Sequence, residues 1–181
     1  MTQWLIDPAH SEVKFKVKHL VISTVTGQFR QFSGSVISEK PDFSDAQVSF
    51  AADVNSISTN NDQRDGHLKS PDFFDAASYP SLAFTSTSIT QVADREYAMR
   101  GTMTIRGVAK EVNLAVHYNG TVKGFEGDVA AFEITGKLNR QEFGLRWNAL
   151  TESGGVVVGD EVKLEIAVEL KKVEVPEPEM A

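Results

Sequence analysis

A chain of 181 residues that is 41% apolar has the material for one well-filled domain, and without cysteine it can form neither a disulfide framework nor a thiolate metal site. Its formal charge of −7 argues against nucleic acid, which rewards clustered Lys and Arg, and mildly against persistent docking on an anionic membrane. No basic region precedes a long apolar run and no segment approaches the roughly 18 apolar residues of a spanning helix. The expected protein is therefore soluble, cytoplasmic as written or periplasmic if a leader has been removed.

Trp4 to Asp7 reads as a short extended piece stopped by Pro8, and Ser11 to Lys18 as the first long strand. There Val13, Phe15 and Val17 alternate with Glu12, Lys14, Lys16 and Lys18, which gives one apolar and one wet face. Gly27 and Gly34 bracket Phe29 and Phe32, near an expected bend or bulge. Val36 to Glu39 pairs next, and Pro41-Asp42 turns the chain. Val48, Phe50, Ala52 and Val54 then share a face.

The stretch from Ser58 to Phe74 breaks this rhythm. Thr59 or Asn60 can cap a helix, Asp62 suits its positive end, Gly66 weakens it and Pro71 stops it. A short helix over about residues 60–70 is predicted to lie as a lid across one end of the sheet, with Leu68, Phe73 and Phe74 pointing into the mouth.

Beyond it, Leu82 to Thr87 is β-prone, and Tyr97, Met99, Gly101, Met103 and Ile105 share a face. Val112, Leu114, Val116 and Tyr118 do the same before Asn119-Gly120, a pair that predicts a hairpin turn. Val129 to Leu138, containing Phe132 and Ile134, is the next strand, and Gly159-Asp160 reads as a tight turn feeding the last one. In that last strand Val162, Leu164, Ile166, Val168 and Leu170 alternate with mostly charged residues. The domain is expected over 1–172, with 173–181 a flexible acidic tail. The fold class is all-β, antiparallel, with roughly eight to ten strands. So many one-sided apolar strands and so little helix require the sheet to cover itself, as a barrel or a sandwich.

Several motifs also resemble the YceI-like family of bacterial lipocalin-like proteins. They are Trp4-x-Ile6-Asp7-Pro8-x-His10-Ser11 with Phe15 and His19-Leu20, then Ser56-Ile57-Ser58-Thr59, Arg64-Asp65-x-His67-Leu68, Phe73-Phe74-Asp75, and Tyr79-Pro80 with Phe84. Gly101-x-Met103-Thr104-Ile105-Arg106-Gly107-Val108 with Lys110, Arg140-x-x-Phe143-Gly144 and Val158-Gly159-Asp160-Glu161-Val162 complete the series. Ser58 stands where the family commonly has Asp, and Met103 where it commonly has Leu. The resemblance implies an extended eight-stranded antiparallel lipocalin-like barrel around a long apolar channel. It also implies binding of polyisoprenoids, prenyl diphosphates or isoprenoid quinones among them, in storage, transport or stress protection. A homodimer is a further hint from the family. An eight-stranded barrel is just wide enough for one slender ligand.

Face parity nominates Val13, Phe15, Val17, Phe50, Phe84, Met99, Met103, Val116, Leu164, Ile166 and Val168 as channel residues, with ordinary core packing as the competing role for each. His19, Arg64 and His67, with Leu68, Phe73 and Phe74, are the candidates for the head group or lid. Arg64, Asp65 and His67 are too close in sequence to share one helical face, so a pinning role competes for them. Arg106 and Arg140 are the cations to test against a phosphate. His10, His19, His67 and His117 show no paired metal-ligand spacing, so no metal, cofactor or catalytic residue is expected. Two other functions stay open: an enzyme using His19, Arg64 or His67 on such a lipid, and a ligand-free interaction module.

Overall fold

The computed structural model describes residues 2–150 and 155–174. Its strands are β1 (Thr2–Ile6), β2 (Glu12–His19), β3 (Ser23–Phe29), β4 (Phe32–Ile37), β5 (Gln47–Asp53), β6 (Ile57–Ser58), β7 (Ser81–Ala93), β8 (Glu96–Ile105), β9 (Val108–Gly124), β10 (Gly127–Asn139) and β11 (Val158–Glu174), with one α-helix, α1 (Asp62–Lys69).

Three pairs of these strands are halves of longer, broken staves. β11 pairs with β2 through Leu164↔Phe15 and with β1 through Leu170↔Ile6, so β1 and β2 share one position in the sheet. Likewise β3 lies against β2 and β4 against β1, while β6 lies against β3 and β5 against β4. With each broken pair counted once, β7 to β11 complete a ring of eight antiparallel staves that closes where β11 meets β1. The all-β, eight-stranded antiparallel barrel is thus the observed architecture, and closure leaves no sandwich.

The breaks have local causes. Pro8 cannot donate to a ladder, and the Asp7 carboxylate caps the single turn Pro8–His10 by accepting from Ala9 N at 3.1 Å. Asp53 does the same for the turn Val54–Ser56, accepting from Asn55 N at 2.9 Å. Between β3 and β4 only Arg30 and Gln31 intervene, where the glycine-bracketed aromatics predicted a bend.

Two predicted turns prove to be bulges. β9 runs straight through Asn119-Gly120: Tyr118 pairs with Phe132 and Gly120 with Ala131, so Asn119 is an extra residue, and the hairpin turns later at Phe125-Glu126. Gly120 takes φ +130°, so the backbone freedom that suits a turn serves a bulge instead. Gly159-Asp160 lies inside β11, between the pairs Val158↔His19 and Val162↔Val17. There the bulge frees backbone carbonyls that Arg140 takes up. At the C-terminus β11 continues to Glu174, two residues past the expected boundary, because β1 offers Gln3 to Val173 and Thr2 to Glu174 as partners. The rest of the expected tail, 175–181, lies outside the described residues.

Candidate functional site

Parity turns one row of each stave inward, and the rows enclose a cavity of about 400 Å³. Every nominated channel residue stands on its wall: Val13, Phe15 and Val17 from β2, Phe50 from β5, Phe84 from β7, Met99 and Met103 from β8, Val116 from β9, and Leu164, Ile166 and Val168 from β11. Phe15, Phe50, Leu164 and Ile166 point inward yet are only half-buried, because their remaining surface faces the lumen. Opposite two of the large rings the chain has glycine. A Cβ on Gly27 would lie 2.3 Å from the Phe15 ring, and one on Gly101 would lie 2.4 Å from Phe84. The small residues thus let aromatic rings lie flat on the wall instead of filling the lumen.

One end of the cavity is plugged. The connection between β4 and β5 folds over it, held by Asp45, which accepts from Ser38 Oγ at 2.6 Å and Glu39 N at 2.8 Å. The Ser38 hydroxyl is the largest influence holding the Asp45 carboxyl below its ordinary range. The Tyr97 hydroxyl donates to the Asp42 carbonyl and fixes the same loop to β8. Phe43, 3% exposed, then drops between Trp4, Tyr118 and Phe132 at ring distances of 5.2, 5.4 and 4.9 Å.

The other end is covered by α1 and the segments around it. The helix cap is Asn61, accepting from Arg64 N at 3.0 Å, rather than Thr59 or Asn60. Asn60 instead bends the chain with φ +60°, and Thr59 serves as the anchor. Asp65 is buried and accepts from Thr59 N at 2.8 Å and Thr59 Oγ1 at 2.6 Å. Arg64 donates through Nε to Thr59 Oγ1 at 2.7 Å and through one terminal nitrogen to the Thr59 carbonyl at 2.6 Å. Its other terminal nitrogen has no partner among the described residues.

Leu68, Phe73 and Phe74 line the cavity beneath the helix, Phe74 packing edge-on to Phe29 at 6.0 Å. His67 also borders the lumen, its Nε2 2.9 Å from Asp72 Oδ2 and its ring 4.6 Å from Trp147. His19, at the end of β2, reaches the same mouth, and its ring has no partner among the described residues.

The two arginines considered for phosphate both serve loop carbonyls, Arg140 with its whole guanidinium and Arg106 through one terminal nitrogen. Arg140 is 5% exposed and donates to the carbonyls of Gly159, Leu145, Trp147 and Val158, with its guanidinium carbon 5.9 Å from the Phe73 ring centroid. Burial lowers its pKa, and the nearby Asp160 partly offsets this. Arg106 donates to the carbonyls of Phe73, at 3.1 Å, and Gly144, at 2.8 Å. These cations knit the loop after β10 to the lid segment, a task invisible without the loop's path.

Sequence reading missed Phe43 and Trp147, both in connections. An aromatic amid the polar run Glu39–Asp45 is the one signal that could have flagged the plug. It also missed that the fold gathers Asp7, His10 and Glu169, whose ligand atoms lie within 4.8 Å of one another. Lys171 Nζ sits 3.5 Å from Asp7 and His10 Nδ1 2.7 Å from it, so this cluster is an ion-pair network around the β1–β2 break.

This geometry agrees with comparison to known proteins. A family model described as the YceI-like domain matches residues 4–170. The chain belongs to the YceI-like family. Among its relatives is a UPF0312 protein of Staphylococcus aureus, 37% identical over 171 residues that cover 93% of this chain and 97% of the relative. The YceI protein of Campylobacter jejuni has a similar structure, with a TM-score of 0.73 and 31% identity, covering 87% of this chain and 90% of that one. A polyisoprenoid binding domain from Saccharophagus degradans, 16% identical, shares the fold with a TM-score of 0.67 over 93% of this chain and 97% of its own. Among the described residues of this YceI-like barrel, no helix is long and apolar enough to cross a membrane.

Proposed function

We propose that this barrel carries or stores a long apolar amphiphile, a polyisoprenoid, with its tail in the lumen and its head group at the mouth. The observation that carries the reading is a wall of hydrocarbon closed at one end by Phe43 and edged at the other by His19, Arg64 and His67. The Saccharophagus domain, by its description a polyisoprenoid binder, lends support. Each methylene removed from water contributes about 0.8 kcal/mol, so a tail of several isoprene units offsets its own ordering cost. The free guanidinium nitrogen of Arg64 and the ring nitrogens of His19 suit a diphosphate or a quinone carbonyl. The histidines and cations that border the lumen stand at its mouth, which favours holding over turnover.

Native mass spectrometry after incubation with polyprenyl ligands tests this. Met103→Asp or Phe15→Asp places a carboxylate on the wall and should abolish uptake, whereas Lys16→Asp, on the outer face of the same strand as Phe15, should leave it intact. Equal uptake by all three variants would refute lumen binding.

A further inference from the structure

The tip of the β2–β3 hairpin is built against the ordinary rules of turn chemistry. Leu20 and Val21 take φ +52° and +66°, a conformation usually left to Asn or Gly and strained for a β-branched residue. Core packing does little to offset this: Leu20 is 39% exposed, Val21 67% and the following Ile22 87%. Beside them Leu150, 75% exposed, is bridged to Val156. Leu20 N donates to the Val157 carbonyl at 2.9 Å and ties the tip to the segment leading into β11.

This patch is continuous with the mouth. His19 and Val157, immediate neighbours of the tip residues, already line the cavity. Exposed cations, Lys18 on β2 and Arg146 on the loop after β10, lie at this end of an otherwise acidic protein.

We propose that the β2–β3 tip, with Leu150 beside it, forms a docking surface for an anionic lipid bilayer, through which the barrel takes up and releases its guest. This rests on the reading that the lumen holds a lipid. A guest nearly insoluble in water must pass from one apolar phase to another, so the mouth has to touch its source. Leu20, Val21, Ile22 and Leu150 enter the boundary between head groups and acyl chains, while Lys18 and Arg146 meet lipid phosphates. The protein's net negative charge keeps that contact transient.

The test separates tip from fold. Leu20→Asn/Val21→Gly installs the pair that the turn geometry favours, so it should melt no lower than the wild type. Wild type and variant are mixed with phosphatidylglycerol–phosphatidylcholine vesicles containing a polyprenol, then floated and weighed by native mass spectrometry. In parallel, both receive farnesol dispersed in water without vesicles. Vesicle loading should fall about tenfold or more in the variant, with farnesol uptake unchanged. Loading from vesicles at the wild-type rate would overturn the proposal. So would a lower melting temperature, or a wild-type dimer in sedimentation that the variant converts to monomer, since the tip would then serve the fold or a second copy. If neither protein takes up farnesol, lipid carriage itself fails, and the docking proposal with it.

Discussion

Replacing Phe43 with alanine should both weaken the barrel and lengthen the guest it accepts. The ring is 3% exposed and packs on three aromatic neighbours, all within 5.4 Å between centroids. The backbone places it there with φ +62°, a conformation unfavourable for a bulky residue, so ring placement outweighs local comfort. Core Phe→Ala changes cost about 3–5 kcal/mol, the larger values arising where the site cannot collapse. Here Trp4, Tyr118 and Phe132 stand on laddered strands and cannot close the gap, so the upper half of that range applies. For a chain of this size each kcal/mol lowers the midpoint by about 2–4 °C, giving a drop of roughly 8–20 °C by circular dichroism. The vacated space joins the lumen. Native mass spectrometry with a ladder of prenyl alcohols should therefore show the longest retained chain growing by at least one isoprene unit. Phe43→Leu, which keeps most of the volume, should cost less than about 1.5 kcal/mol and shift the cutoff little. An unchanged length cutoff in Phe43→Ala, or a cost below about 1 kcal/mol, would refute the plug.

Asp65→Ala removes the acceptor for Thr59 N and Oγ1 and should cost about 1–3 kcal/mol, with faster amide exchange confined mainly to residues around 59–70. Uniform exchange across the chain would refute a local pinning role. Gly101→Val drives a side chain into Phe84 and the Thr85 carbonyl, both within 2.5 Å of the new Cβ, and should displace the ring into the lumen and reduce ligand capacity. Unchanged capacity would exclude that reading. The His10–Asp7 hydrogen bond raises His10 above its ordinary 6.5 and is the largest influence lowering Asp7 below 3.8. The His10 contribution is thus fully present below about pH 6.5 and lost as pH rises through its folded value; that of Asp7 is present above about pH 3.8 and lost as pH falls. His10→Gln should therefore lower the melting temperature more at about pH 5.5 than at about pH 8.5, and equal losses would remove the pair from the pH dependence.

What the sequence revealed, and what it concealed, follows the range of the forces involved. Inward parity on β2, β8 and β11 was legible because a one-residue slip would turn a whole apolar row outward. The lid was legible from Pro71 and the capping residues, though its cap moved to Asn61 once Asp65 claimed Thr59. Asn119-Gly120 and Gly159-Asp160 misled because the same backbone freedom serves a turn or a bulge, and the neighbouring strand decides which. The plug, the roles of Arg106 and Arg140, and the Asp7–His10–Glu169 network depend on where loops pass distant strands, which no local pattern encodes.

The broken staves explain why the two ends differ. On the plug side β1, β4, β5 and β7 are joined by continuous ladders, and the ring is closed by backbone hydrogen bonds. Past the breaks, β2, β3 and β6 continue the sheet, but among the described residues β6 pairs with β3 and not with β7. The last backbone link across that seam is Val54 N to the Pro80 carbonyl, at 2.9 Å. Beyond it the gap is covered by α1 and the segment that follows, held largely by Asp65, Arg64 and Arg106. A seam of side-chain contacts opens at lower cost than a ladder, since no row of buried peptide groups is stripped of partners. The interruptions at Pro8, Arg30–Gln31 and Val54–Ser56 therefore leave the barrel laddered around Phe43 and closed by side-chain contacts where α1, with Arg64 and Asp65, covers the seam.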